Sequence, residues 1–222
     1  KVNGEKLAVL AAPSADALLV TARDGAGTLQ VCLVGSNADG VSLEAYPMAD
    51  GHRAATVTLT GADATVLASG AEPEAAVAVT LDEALLIMAA EAQGAMDKAL
   101  EVSLDYCRTR KQFGMPLAAF QALQHRAAHL YSEVEIARAV TIKAAQLVDG
   151  GSEKADLMAS VAKAKVAKVA GLAVREGVQM HGGIGMTDEY DVGFYLKRAR
   201  VLEASWGSSS YLRGRFAKLS SY

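Results

Sequence analysis

Cysteine and tryptophan are nearly absent from this 222-residue chain, with two copies and one, and there are only four prolines. Cys32 and Cys107 have no metal-type spacing and cannot build a disulfide framework, so they read as free thiols of a reducing compartment. Few prolines and 5% aromatics argue against a Pro-rich disordered chain or a binding repeat. No run of about 18 uncharged apolar residues exists, so no helical membrane span is expected. No basic-then-apolar leader opens the chain, and the expected location is the cytoplasm. Neither sign of charge dominates: 22 Lys and Arg against 25 Asp and Glu leave a net charge of -3, without a polybasic block. Nucleic acid is therefore not an expected partner. The chain opens on Lys1 rather than Met, and reads as part of a longer protein.

What is present is apolar sequence, 51% of the chain, enough for one large domain or two small ones. The first third reads as β structure. Apolar runs at Leu7–Leu10, Leu18–Ala22, Leu29–Val34, Val41–Ala45 and Ala54–Thr60 are separated by breakers such as Asp24-Gly25, Asp39-Gly40 and Asp50-Gly51. Thr56, Thr58 and Thr60 alternate with Val57 and Leu59, the period of a half-buried strand.

From Thr80 the period changes to helical. Leu85, Met88, Ala92, Ala95, Ala99, Val102 and Tyr106 form one face, opened by a Thr80-x-x-Glu83 capping box. A second face runs from Phe120 to Val148 and stops at Gly150-Gly151; a third runs from Ala159 to Met180 and stops at Gly182-Gly183. Thr187 can cap a short helix, and a last helical stretch runs from about Lys197 to Leu219. The expected fold is α+β: a small antiparallel β domain over residues 1–75, a boundary near Gly70–Pro73, and an antiparallel bundle of long helices over 76–222.

Four stretches could carry chemistry. Arg108 to Gly114 is either a basic last turn offsetting a helix dipole before a glycine stop, or a cationic clamp for a phosphate with Phe113 as a flat surface. Gln179-Met180-His181-Gly182-Gly183-Ile184-Gly185 allows close backbone approach, but lacks the preceding strand and spacing of a Rossmann fingerprint. Within it His181 reads as a turn residue or a packed ring. Glu83 belongs to the capping box, and Glu203 to Ser208 surrounds the single tryptophan, Trp206. No nucleophile–base–orienter set can be assembled, and His125 and His129 lack a third ligand for a metal.

The run Tyr106-x3-Arg110-x2-Phe113-Gly114-x5-Phe120-Gln121, followed by Gln179-x2-Gly182-Gly183-x-Gly185, Arg198-x-Arg200 and Gly207-Ser208, resembles the acyl-CoA dehydrogenase family. The β region resembles that family's middle domain, which implies a missing N-terminal helical domain. Members are flavoenzymes that desaturate an acyl-CoA thioester between its α and β carbons. The resemblance implies that FAD is shared with a neighbouring subunit, its ADP half held by Arg110, Gln112, Phe113, Gln121, Gln179, Gly182 and Gly183. An electron-transfer flavoprotein is the implied acceptor.

The catalytic half of the family pattern is missing. The position of the usual glutamate base holds Trp206, and the alternative base position aligns with Ala84, one residue from Glu83. A one-residue offset turns a helical side chain by about 100°. Ala8 and Leu10 stand where the family has a Trp-x-Thr stretch beside the flavin. An indole cannot abstract an α proton. The pattern is similar to the small, base-less subunit of heteromeric enzymes, and the run from Met180 to Asp191 is similar to small subunits of the pimeloyl-CoA dehydrogenase type. The implied assembly is a heterotetramer with a catalytic partner subunit. The alternatives are a self-sufficient homotetramer whose base is Glu203, Glu83 or Asp82, and a flavin-free helical scaffold.

Overall fold

The computed structural model describes all residues, Lys1–Tyr222, in two compact units, Lys1–Thr80 and Leu81–Tyr222. The first unit holds six strands: β1 (Val2–Leu10), β2 (Ala17–Arg23), β3 (Leu29–Gly35), β4 (Val41–Pro47), β5 (Arg53–Ala62) and β6 (Thr65–Ser69). They form two antiparallel three-stranded sheets, ordered β1-β5-β4 and β2-β3-β6. Alternation decides which side chains meet between them. Leu18 and Val20 of β2 stand opposite Val34 and Cys32 of β3, and all four are buried; Leu19, one residue out of phase, is exposed. On β5, Val57 and Leu59 point inward while Thr58 and Thr60 face solvent, as their spacing predicts. At Gly40 (φ 82°) a Cβ would lie 2.3 Å from the Thr60 carbonyl oxygen, so the turn into β4 admits only glycine.

Five helices follow: α1 (Ala71–Thr109), α2 (Gln121–Asp149), α3 (Ala155–His181), α4 (Val192–Ala204) and α5 (Ser209–Leu219). Short turns at Gly150–Lys154 make α2 and α3 packed neighbours. The core of the second unit is built largely from small side chains, with Ala92 and Ala99 of α1, Ala137 of α2, and Ala162 and Ala173 of α3 all fully shielded. Small contact residues let helix axes approach closely.

Three expectations need correction. α1 begins at Ala71, not Thr80. The Thr80 hydroxyl donates to the Ala76 carbonyl 2.8 Å away instead of capping an N-terminus. Residues 71–79 are good helix formers, Pro73 falls in the first turn where its missing N–H costs nothing, and Glu72 and Glu74 complement the helix dipole. Thr187 does not cap a helix: it follows a 3-10 turn (Gly182–Met186) and its hydroxyl donates to the Ile184 carbonyl at 2.7 Å. The last helical stretch is two helices, interrupted at Ser205–Ser208. Trp206 (φ 58°) and Gly207 (φ 116°) are left-handed, and Ser208 caps α5 through its side chain. No helix is long and apolar enough to cross a membrane.

Candidate functional site

The end of α1 and the end of α3 converge on one cleft of about 370 Å³, lined by Tyr106, Thr109, Arg110, His181, Gly183, Ile184 and Tyr190. α1 stops at Thr109, whose hydroxyl turns back to the carbonyls of Asp105 (2.9 Å) and Tyr106 (3.2 Å). Beyond it, Lys111–Gln112 pairs with Met115–Pro116 as a minimal hairpin, β7 and β8. Phe113 and Gly114 form its tip, both at positive φ, and the Phe113 ring is 87% exposed. The glycine therefore turns a hairpin; it does not stop the helix, which ends five residues earlier. Phe120 meets the Phe113 ring edge-on at 6.1 Å.

Arg110 is fixed through its backbone. Its N–H donates to the Tyr106 carbonyl (2.8 Å), and its own carbonyl accepts from the Leu117 N–H (2.9 Å). Its neighbour Arg108 is paired with Asp105 at 2.8 Å, whereas the Arg110 guanidinium is exposed and meets no acidic group. A fixed backbone beneath an uncommitted guanidinium suits an anionic ligand.

The floor of the cleft is aromatic. The Tyr106 and His181 rings stack with centroids 4.4 Å apart, and Tyr190 meets both edge-on, at 5.4 and 5.3 Å. His181 is 4% exposed, and its Nδ1 donates to the Gly177 carbonyl at 2.7 Å. A carbonyl only accepts, so Nδ1 carries a proton; Nε2 is buried and has no hydrogen-bond partner. Gly177 and Gly185 permit this packing. A Cβ on Gly177 would lie 2.9 Å from a Val192 methyl, and one on Gly185 would lie 2.9 Å from the His181 Cβ.

Of the residues singled out in the sequence, Arg110 and Gly183 share the cleft. Gln112 and Phe113 lie on the adjoining hairpin, Gln121 opens α2, and Gln179 and Gly182 lie at the end of α3; all five are exposed and none lines the cleft. The carboxylates that might act as bases are mostly committed. Asp82 pairs with Arg215 at 2.6 Å, and Glu203 with Arg200 at 3.0 Å. Glu83 is exposed, whereas Ala84 is half-buried. Trp206 is 47% exposed at the α4–α5 break. In the other unit, Ala8 (φ 51°) sits where β1 shifts register, and Leu10 ends that strand. The sequence reading missed Tyr106 and Tyr190 as cleft residues; the i, i+4 spacing of Gly177 and His181 was the available signal for the buried imidazole.

A model of the acyl-CoA dehydrogenase C-terminal domain matches residues 75–220. The chain belongs to the acyl-CoA dehydrogenase family. It is 31% identical to the probable acyl-CoA dehydrogenase YngJ of Bacillus subtilis, over 96% of this chain and 58% of that one. To the acyl-CoA dehydrogenase IpdE2 of Mycobacterium tuberculosis it is 38% identical, over 53% of this chain and 35% of that one. Among solved structures, the Tcur3481-Tcur3483 steroid acyl-CoA dehydrogenase superposes with a TM-score of 0.89 at 30% identity, over 99% of this chain and 59% of that one. The ChsE4-ChsE5 complex from Mycobacterium tuberculosis gives 0.88 at 26% identity, with the same coverage. The chain thus spans between 35% and 59% of the length of these acyl-CoA dehydrogenase relatives. A small antiparallel β domain followed by a long-helix bundle is the part of the acyl-CoA dehydrogenase fold it carries.

Proposed function

We propose that this chain is the noncatalytic subunit of a heteromeric, FAD-dependent acyl-CoA dehydrogenase, its β domain over residues 1–75 and its helical domain over 76–222. It holds the ADP half of an FAD whose flavin ring and catalytic base belong to a partner subunit. The observation that carries this reading is the contrast between its two sites. The cleft offers an unpaired guanidinium at Arg110, the bare backbone of Gly183 and a buried, unpartnered ring nitrogen at His181. At the α4–α5 break an indole stands where the resemblance puts the family's base, while Asp82 and Glu203 are tied to arginines.

These residues fit the polar half of a dinucleotide. Arg110 would bind pyrophosphate through its fork, Gly182 and Gly183 would admit the ligand backbone closely, and Gln112, Gln121 and Gln179 would meet adenosine polar groups. Phe113, exposed on its hairpin, would cover an apolar face. When bound, FAD supplies hydride acceptance, and an electron-transfer flavoprotein would take the electrons onward. The substrate class is an acyl-CoA thioester. The likeness to the Tcur3481-Tcur3483 steroid enzyme and to the ChsE4-ChsE5 complex supports a bulky acyl group and a two-chain assembly. The cytoplasm is the compartment in which this reading places the pair.

Flavin stoichiometry tests the proposal. The chain alone is expected colourless; co-purified with its partner, the pair should carry about one FAD, because each chain supplies half of one site. Arg110→Ala should release that flavin while stability stays within about 0.5 kcal/mol, as for an exposed side chain without partners. One FAD per chain in the lone protein would sink the heteromeric reading in favour of a homotetramer. No flavin even with the partner would favour the scaffold.

A further inference from the structure

Lys163 lies a third of the way along α3 and is 1% exposed, the largest fully shielded side chain in the protein. Its ammonium has three N–H donors but one acceptor, the Ser205 carbonyl at 3.2 Å. Burial pushes its pKa down to about 8, an effect the Glu203 carboxylate opposes. An interior charge with incomplete pairing adds little to stability, and an apolar side chain of similar volume usually serves a core as well or better. The lysine must therefore be read through what it holds.

Ser205 is the last residue before the two left-handed ones. It ends α4, with its N–H and hydroxyl both directed to the Val201 carbonyl (3.0 and 2.8 Å). Its own carbonyl sits at a helix C-terminus, where a cation is favoured. Trp206 then adopts φ 58°, a conformation disfavoured for an aromatic side chain, and Gly207 adopts φ 116°, where an added Cβ would lie 2.6 Å from the Tyr211 ring. Beyond the turn, the Ser209 hydroxyl donates to the Ala164 carbonyl at 2.7 Å. Successive residues of α3, Lys163 and Ala164, thus grip the elbow on both sides of Trp206.

We propose that Lys163 is a positioning residue whose buried ammonium latches the Ser205–Gly207 elbow and presents the Trp206 indole in one orientation. This rests on the reading above only in taking the elbow as the place where the family has its base; the latch itself is a property of the chain alone.

The single tryptophan makes the latch directly observable. In the full chain, Lys163→Met should keep the helical spectrum and a urea midpoint at or above the parent's. Acrylamide quenching of Trp206 should rise about two-fold, as its exposure goes from 47% towards complete, and a fast anisotropy component should appear. Lys163→Gln, which keeps an N–H donor, should fall between. Lys165→Met, which breaks the 2.7 Å pair with Glu133, should leave the emission unchanged. Unchanged quenching in Lys163→Met, or a rise seen only with a lowered midpoint, would overturn the proposal, as would failure of both Lys163 variants to fold. Because no flavin or partner is present, these outcomes are separate from the flavin stoichiometry.

Discussion

Raising the pH should stabilise this protein through Lys163, the reverse of the usual behaviour of a lysine held in an ion pair. The free side chain titrates near 10.5, and in the fold near 8. Below pH 8 both folded and unfolded chains carry the proton, and the cost of burying it is constant. Between 8 and 10.5 the folded chain has released the proton while the unfolded chain still binds it, so stability rises with pH. The separation corresponds to about 3 kcal/mol, at roughly 1.4 kcal/mol per pKa unit. Comparing the parent with Lys163→Met cancels every other titration, because only this group differs. Urea unfolding followed by circular dichroism should find the parent gaining about 3 kcal/mol on the variant across that window, and nothing below it. Under neutral conditions the variant should equal or exceed the parent, since it sheds a buried charge for one hydrogen bond worth about 1 kcal/mol. Glu203→Gln removes the opposing attraction and should move the onset to lower pH. A stability gap between parent and Lys163→Met that is flat with pH would refute the burial argument.

Further perturbations follow from particular contacts. Gly177→Ala places a methyl 2.9 Å from Val192 and 3.0 Å from the Ser103 hydroxyl, so thermal unfolding should reveal a loss of about 1–3 kcal/mol despite the better helix former. Gly207→Ala adds a Cβ 2.6 Å from the Tyr211 ring at φ 116°, and urea denaturation should report a loss of about 2 kcal/mol or more. Arg198 makes a fork with Glu91, at 2.6 and 2.8 Å; Arg198→Lys should cost at most about 1 kcal/mol, and the difference should shrink in high salt.

Much of the architecture was legible because burial follows period. The alternation of Val57 and Leu59 with threonines marked β5, and the steps from Leu85 to Tyr106 marked the body of α1. The start of α1 was not legible, because Thr80-x-x-Glu83 satisfies a local capping rule while the nine residues before it satisfy a helix equally well, and only the whole fold chooses. The break at Ser205–Ser208 escaped for a related reason: a left-handed tryptophan contradicts local preference and is maintained by tertiary bonds from α3. Arg110 and Gly183 were visible as motif residues, but their meeting depends on the helix ends converging, and Tyr190 reaches them only through an irregular turn. Lys163 could have been found, since it lies four residues after Ala159 and three before Val166, on the face that packs inward.

The alanine-rich seam of the bundle reverses the ordinary asymmetry of core mutation. Nine of the seventeen buried residues in that cluster are alanines. Such positions have almost nothing to lose by truncation, whereas each added methylene must push whole helices apart. Because the cleft is formed where the far ends of α1 and α3 meet, spreading the middle of the bundle would tilt those ends and change the distance between Arg110 and Gly183. The seam thus works as a spacer whose gauge is one methyl group, and swelling it at Ala99 or Ala173 would reshape the cleft without touching any residue that lines it.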